Sequence, residues 1–228
     1  MISLVRDFNH LKECIASKEL VLCGNPSNIA NLHNDFLDKS LDLHLIADGV
    51  LFKITNPKVK NRITGMQSFN YTLENFSQKR FFFLVPNKNS IHPLLEYLKY
   101  KSIENVEIEV GVQNYDKNFI ENTKSLLTRI NSFNPDIVFL GIGSPRQEKA
   151  AIYLYKNLPN KTNIQAVGAV FDFISGQQTR APNAFSSLGL EWLWRFIHDP
   201  KRMFARVFVD VYKYLAIVLF TGWYKELR

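Results

Sequence analysis

Six short apolar runs, with helical patterns between many of them, constrain the fold of this chain more than any other sequence feature. Several runs are uninterrupted, which is typical of strands that are buried on both faces of a parallel sheet. The sequence therefore predicts an α/β fold with a mostly parallel, Rossmann-like sheet and helices on both faces. The predicted strands are 19–23, 43–47, 80–85, 106–110, 136–140 and 164–168, and the predicted helices are 26–34, 70–78, 90–101, 117–132 and 144–157.

The pattern changes after residue 168 to loops, an aromatic helix and a basic tail. We expect an α/β body over residues 1–190 and a basic, amphipathic helical appendage over residues 191–228. A chain of 228 residues is long enough for this arrangement, and its hydrophobic content of 46% excludes wholesale disorder.

Cysteine usage and apolar length narrow the class of protein further. Cys14 and Cys23 show no metal-ligand spacing, so the sequence predicts neither a structural zinc site nor a disulfide framework. The N-terminus lacks the apolar core of a signal peptide. The longest apolar stretch, 214–224, has eleven residues, whereas a membrane span needs about 20.

Loops at the carboxyl ends of parallel strands form the ligand crevice of such folds. In the loop 141–148, Ser144 is predicted to cap the next helix, and Gln147 completes a capping-box pattern with it. The exposed backbone N–H groups would favour a phosphate, and Arg146 adds a positive charge. A capped turn without a ligand is the alternative, because neither the dinucleotide fingerprint nor a P-loop is present.

Two other strand ends carry polar side chains. Asn25 is predicted to cap the helix that begins at Pro26. Asp48 follows the second predicted strand, where a carboxylate can act as a general base on a hydroxyl. The pair Asp48-Gly49 is also an ordinary turn sequence, so both interpretations stay open.

Residues 168–195 place further charged and aromatic groups after a buried strand. Arg180 is a candidate partner for a diphosphate. Asp172 can bond a sugar hydroxyl or hold Arg180. Trp192 and Trp194 cannot share one helix face, so we expect one in the core and the other toward a membrane or partner.

The tail from residue 195 has seven Lys or Arg against three acids, so it holds +4 of the chain's net charge of +7. Pro200 is predicted to end one helix, after which Arg202, Arg206 and Lys213 form one stripe beside apolar positions. This composition is typical of a helix at a membrane surface. A helix packed on the core with a solvated basic face is the alternative, and nucleic acid binding has little support.

Taken together, these segments resemble the WecG/TagA/CpsF family of bacterial glycosyltransferases over about Leu20 to Arg206. The resemblance is carried by Gly141-x-Gly143-x-Pro145-x-Gln147-Glu148, Gly168-Ala169-x-Phe171-Asp172, Gly176, Arg180-Ala181-Pro182, Gly189-x-Glu191-Trp192, Arg195 and Pro200-x-Arg202. It implies an inverting transfer of an N-acetylmannosamine-type sugar from a UDP-sugar to a polyprenyl-diphosphate-linked acceptor, in teichoic acid or other surface polysaccharide synthesis. It also implies peripheral attachment to the cytoplasmic face of the membrane and no cofactor or metal. Homo-oligomerisation is left open.

Individual roles follow from the resemblance. Asp48 would be the catalytic base, and Arg195, Arg202 and Arg206 would bind the lipid diphosphate. The expected substrate-binding residues are Asn25, Arg62, Gln67, Gly143, Gln147, Glu148, Asp172, Arg180 and Glu191.

This chain departs from the family pattern at three crevice positions. The family's Thr-x-Asn appears as Cys23-Gly24-Asn25, its Gly-x-Asp as Gly65-Met66-Gln67, and its Gly-rich end of the third predicted strand as Val85-Pro86-Asn87. The donor sugar is therefore not assigned from the sequence. A non-catalytic nucleotide-sugar-binding or scaffold protein is the alternative function.

Overall fold

A seven-stranded, all-parallel sheet forms the centre of the protein. The computed structural model describes residues 2–36, 41–111, 119–182, 185 and 189–221, with side chains omitted at 33–36, 120 and 202. The strand order is β1-β3-β2-β7-β6-β4-β5. The strands are β1 Ile2–Leu4, β2 Leu20–Gly24, β3 Leu43–Ala47, β4 Phe81–Val85, β5 Val106–Val110, β6 Ile137–Leu140 and β7 Asn163–Ala166.

Helices connect the strands, so the predicted α/β fold is confirmed. The six predicted strands are present with shifts of one or two residues at their ends, and β1 is an additional edge strand that pairs with β3. The helices of the body are α1 Phe8–Ala16, α2 Pro26–Phe36, α3 Val50–Thr55, α4 Gly65–Asn75, α5 Ile91–Tyr100, α6 Phe119–Phe133, α7 Arg146–Asn157 and α8 Val170–Ile174, with a 3₁₀ turn at Lys88–Ser90.

The strands bury side chains on both faces of the sheet. Leu20, Leu22 and Leu45 pack into one apolar cluster, while Val21 and Ile46 pack into a second cluster on the other face. Successive side chains of a strand point to opposite faces, so a strand covered on both sides must be apolar throughout. This is why β2 shows no alternation of apolar and polar residues.

The strand register brings four loops to one edge of the sheet. Gly24 lies opposite Ala47, Leu22 opposite Ala166, and Leu140 also opposite Ala166. The strands β2, β3, β6 and β7 therefore end at nearly the same level. The loops that follow them converge where parallel α/β sheets bind ligands.

The C-terminal segment consists of consecutive helical pieces. These are α9 Glu191–His198, α10 Pro200–Phe204, a π-helical segment Ala205–Asp210 and α11 Val211–Thr221. Helix α9 ends before Pro200, as the sequence predicts, with Asp199 as its C-cap, and Pro200 is the first residue of α10. No helix in the described ranges is both long enough and apolar enough to cross a bilayer.

One face of α11 packs on the body. Tyr214 is 1% exposed within the apolar core, and its hydroxyl forms a short hydrogen bond with Thr55 Oγ1. Ser27 of α2 donates a hydrogen bond to Asp210 in the π-helical segment. Other apolar side chains of the C-terminal segment are exposed to solvent. They are Phe204 of α10, Phe208 of the π-helical segment, and Tyr212, Leu219 and Phe220 of α11. The tail helix thus has a core face and a second, apolar face toward solvent, and residues 222–224 of the predicted apolar stretch lie outside the described residues.

Candidate active site

A cavity of about 870 Å³ lies at the carboxyl edge of the sheet. Its volume lies in the range of pockets that hold small-molecule ligands. The loops after β2, β3, β6 and β7 form its floor, and Met203 and Val207 of the C-terminal segment contribute to its wall. Nine of the site residues predicted from the sequence line it: Asn25, Asp48, Gly143, Gln147, Asp172, Arg180, Glu191, Arg195 and Arg206.

Asp48 follows the last residue of β3 and is half-buried in the cavity wall. Its backbone N–H donates to Gly24 O at 3.1 Å, and its carboxylate accepts from the backbone N–H of Gly65. Only glycine fits at position 65, because a Cβ there would lie 2.4 Å from Val167 O. The close approach of α4 to Val167, which follows β7, therefore depends on the absence of a side chain at position 65.

Burial raises the pKa of Asp48 to about 6, and nearby charges adjust it. Arg195 and Arg62 lower the pKa, whereas Glu191 raises it. A carboxyl group with a pKa near neutrality can both accept and return a proton at physiological pH. The electrostatics therefore suit a general base.

Arg62 and Glu191 form an ion pair beside Asp48. Arg62 donates to Glu191 Oε1 at 2.8 Å, and both side chains are largely buried. Arg62 does not line the cavity, whereas Arg195 does and also lies over the ring of Phe173, with 5.2 Å between its Cζ and the ring centroid. Arg195 is therefore a cation that both lowers the pKa of Asp48 and lines the cavity, while Arg62 is paired with Glu191.

A buried hydrogen-bond network joins α2 to the loop after β6. Asn25 accepts a bond from the backbone N–H of Asn28 at 3.0 Å, which is the predicted helix cap. Asn28 then donates to Cys23 O at 2.7 Å and to Glu148 Oε1 at 3.0 Å. Ser144 donates to Asn28 Oδ1 at 2.6 Å. Sequence reasoning missed Asn28, because its partners are as many as 120 residues away.

The predicted capping role of Ser144 is wrong. Helix α7 begins at Arg146 with Pro145 in the capping position, and no side chain caps it. The hydroxyl of Ser144 donates to Asn28 Oδ1, and the backbone N–H of Gln147 donates to Gly143 O at 3.0 Å. Tertiary contact with α2 outweighs the local capping pattern here.

Glu148 and Gln147 are almost completely buried, with exposed fractions of 0% and 1%. Gln147 Nε2 donates to Glu148 Oε1 at 2.7 Å, and burial raises the pKa of Glu148 above its usual value. Among the described residues, Gln147 Oε1 and Glu148 Oε2 have no hydrogen-bond partner. Gln147 lines the cavity, so its Oε1 atom is available to accept a hydrogen bond from a ligand.

The other predicted residues have varied surroundings. Asp172 accepts from Gln178 Nε2 at 2.9 Å, and Arg180 is exposed at the cavity. Gln67 lies outside the cavity lining and instead caps α4, where its Oε1 accepts from the backbone N–H of Thr64 at 2.9 Å. Gly143 adopts a φ of +86°, which favours glycine at this bend.

The two tryptophans of α9 have different surroundings. Trp192 is 47% exposed at the cavity. Trp194 is half-buried, with its ring centroid 5.3 Å from that of Phe185. The side chain of Arg202 lies outside the described part of the chain.

The fold and the cavity at the carboxyl edge of the sheet are those of a ligand-binding parallel α/β protein, and sequence comparison identifies its family. The family described as "Glycosyl transferase WecG/TagA/CpsF family" matches residues 8–227, and the chain belongs to it. The protein is therefore a glycosyltransferase.

Curated relatives carry a more specific name. The chain is 29% identical over 181 residues to the N-acetylglucosaminyldiphosphoundecaprenol N-acetyl-β-D-mannosaminyltransferase of Bacillus spizizenii, covering 77% of this chain and 67% of the relative. The enzyme of the same name in Bacillus subtilis is 29% identical, with 77% and 68% covered. The enzyme of the same name in Staphylococcus aureus strain MW2 is 24% identical over 204 residues, which cover 85% of this chain and 78% of the relative.

Proposed function

We propose that this glycosyltransferase moves an N-acetylmannosamine-type sugar from a UDP-sugar to an N-acetylglucosamine acceptor on polyprenyl diphosphate, with inversion at the anomeric carbon. The observation that carries the proposal is Asp48, a carboxyl group of raised pKa in a cavity that four arginines also line. The names of the relatives support the choice of sugar and acceptor. Synthesis of teichoic acid or another surface polysaccharide is the expected biological setting.

Asp48 would act on the acceptor. Its carboxylate accepts the proton of an acceptor hydroxyl while the hydroxyl oxygen bonds to the anomeric carbon of the donor. The bond between that carbon and the UDP oxygen breaks, and UDP leaves with the electron pair. The resulting single displacement inverts the configuration.

The leaving diphosphate needs positive charge and hydrogen-bond donors. Arg146 and Arg180 line the cavity and would bind the leaving diphosphate, whereas Arg195 and Arg206, which also line the cavity, are assigned to the acceptor. The fully charged guanidinium groups can form bidentate bonds with phosphate oxygens. These side chains would allow the site to bind a diphosphate.

The sugar nucleotide would lie against the loops after β2 and β6. Gln147 Oε1 can accept a hydrogen bond from a hydroxyl or amide of the donor, since it has no partner among the described residues. Asn25 and Gly143 line the same part of the cavity. Glu148 lies behind Gln147 and positions its amide by accepting from Nε2.

The acceptor lipid would reach the cavity from the side of the C-terminal segment. Phe204 and Phe208 are exposed there, with ring centroids 4.9 Å apart, and Arg206 lines the cavity. Aromatic insertion together with a basic segment is sufficient for reversible binding to an anionic membrane surface. We propose peripheral attachment at the cytoplasmic face, with Arg195, Arg202 and Arg206 near the lipid diphosphate.

A panel of UDP-sugars tests the proposal. The full-length chain is incubated with each sugar nucleotide and a polyprenyl-diphosphate N-acetylglucosamine acceptor, and the lipid product is analysed by mass spectrometry and NMR. We expect addition of one N-acetylhexosamine from UDP-N-acetylmannosamine, with a β linkage. Transfer of a different sugar would overturn the donor assignment, and absence of transfer from every donor would overturn the proposed reaction.

A further inference from the structure

A cluster of metal-ligating side chains lies at the opposite end of the sheet from the cavity. His10 and Cys14 occupy positions i and i+4 of α1 and therefore face the same way. His44 is the second residue of β3, and Glu19 immediately precedes β2. One ligand atom from each of His10, Cys14 and His44 lies within 4.8 Å of the other two. The spacing of the cysteines along the sequence did not indicate this cluster, because α1 and β3 both contribute to it.

The hydrogen bonds of His44 leave one ring nitrogen available. The ring is bonded through Nε2 to Glu19 Oε2 at 2.8 Å, and the residue is 9% exposed. Its Nδ1 is buried without a hydrogen-bond partner in the described chain. A buried polar atom without a partner costs free energy, which an ion at that nitrogen would relieve. A carboxylate that orients the other nitrogen is the usual arrangement around a metal-bound histidine.

The two ligands on α1 differ in accessibility. Cys14 is 1% exposed, and Glu19 contacts its thiol as well as His44. His10 is half-buried, and its Nδ1 accepts long hydrogen bonds of 3.3 Å from the backbone N and the Nε of Arg6 at the surface. Such long, exposed bonds are weak, so His10 can turn toward an ion at small cost. The cluster thus has a route to solvent through His10.

We propose that His10, Cys14 and His44 bind a Zn²⁺ ion, with Glu19 orienting His44. Two imidazoles and a thiol form a donor set that suits zinc, whereas Mg²⁺ and Ca²⁺ prefer oxygen ligands. Tetrahedral zinc places its ligand atoms about 3.5 Å apart, so the three side chains need to close by about 1 Å. A water molecule supplies the fourth ligand.

Charge balance supports the same ion. Binding converts the Cys14 thiol into a thiolate beside the Glu19 carboxylate, and the two negative charges equal the charge of Zn²⁺. Arg6 is the cation that opposes binding, and its side chain lies toward the surface side of His10.

The site is structural in this proposal. His44 lies four residues before Asp48 along β3, which corresponds to about 13 Å in an extended strand. The ion would connect α1 to β3 and would not contact the transferred sugar. Its expected effect is on stability, so its test is independent of the proposed transfer reaction.

Metal binding is tested on the full-length chain after treatment with a chelator. We expect one equivalent of Zn²⁺ to bind and to raise Tm by about 5–10 °C when zinc is at least 100-fold above its Kd. Co²⁺ in place of zinc should give an intense thiolate charge-transfer absorption band. Failure to bind one equivalent, or binding without a change in Tm, would overturn the proposal.

Substitutions locate the ion. Cys14→Ser should remove the cobalt charge-transfer band, and His10→Ala should weaken zinc binding at least 10-fold. Cys23→Ser is the matched control, because it changes the chain's other buried cysteine, and it should retain both the band and the affinity. Unchanged zinc binding in Cys14→Ser and His10→Ala would identify an adventitious surface site and overturn the assignment. Should Cys14→Ser fold poorly, the more exposed His10→Ala variant still decides the question.

Discussion

At the residue scale, Asp48 carries the chemical step in the proposed reaction. Asp48→Asn preserves the shape of the side chain and removes its ability to accept a proton, so turnover should fall by about 100-fold or more. Donor binding should change little, because Asp48 is assigned to the acceptor. Initial rates and calorimetric UDP binding measure the two effects separately. Glu96→Gln, on the exposed side of α5, is the matched control. Wild-type turnover in Asp48→Asn would rule out Asp48 as the base.

The raised pKa of Asp48 predicts a pH profile. The base is active only when deprotonated, so kcat/KM should rise with pH through an apparent pKa of about 6 and then level off. Arg195 lowers this pKa and Glu191 raises it. Arg195→Gln should therefore shift the rising limb to higher pH, and Glu191→Gln should shift it to lower pH. Rate profiles from pH 4.5 to 8.5 measure these shifts. Shifts in the same direction in both variants would contradict the assignment of the limb to Asp48.

At the element scale, α11 is part of the core rather than a free arm. Tyr214 is 1% exposed and packs with Phe52, whereas Tyr212 on the same helix is 75% exposed. Tyr214→Ala should lower the free energy of unfolding by about 3–5 kcal/mol, and Tyr212→Ala should change it by less than about 0.5 kcal/mol. Urea unfolding of the two variants provides the comparison. Equal stability would show that α11 does not pack on the body in solution.

This packing affects how the domain division is tested. Deleting the chain after residue 199 would remove Tyr214 and uncover core residues of α2 and α3, so loss of activity in such a truncation would not separate membrane binding from folding. Point substitutions on the exposed face of the tail avoid that problem. The boundary between 190 and 191 stays a prediction.

At the scale of the whole molecule, the exposed aromatic face and the basic tail predict binding to anionic membranes. Phe208 is 54% exposed and Phe220 is 88% exposed. Changing both to Ser should weaken binding to phosphatidylglycerol vesicles by at least 10-fold, because each buried Phe contributes about 1.5–3 kcal/mol. Vesicle sedimentation measures this, and added salt should weaken wild-type binding further. Tyr100→Ser, at an 83% exposed position on α5, is the matched control. Equal loss in the control would place the membrane contact elsewhere.

Local sequence patterns were enough to predict six strands, five helices and several residues of the cavity, whereas α1, α3 and α8 were not predicted. Continuous apolar runs indicate strands buried on both faces, and Asp48 and Asn25 could be placed at strand ends because a strand's limits are local properties. Pro200 could be recognised as the point where a helix ends for the same reason, since its ring restricts the backbone locally. The edge strand β1 was missed because three residues show too little periodicity.

Which side chains contact each other depends on segments that lie far apart along the chain and could not be read from the sequence. Ser144 bonds Asn28 across 116 residues instead of capping α7, and Arg62 pairs with Glu191 across 129 residues. Tyr214 reaches Thr55 across 159 residues, which places α11 in the core. The strand order brings β3 between β1 and β2 and so joins His44 to α1. Such contacts form where distant segments are buried against each other. Local residue spacing does not predict them, because packing energy depends on neighbours in space rather than along the chain.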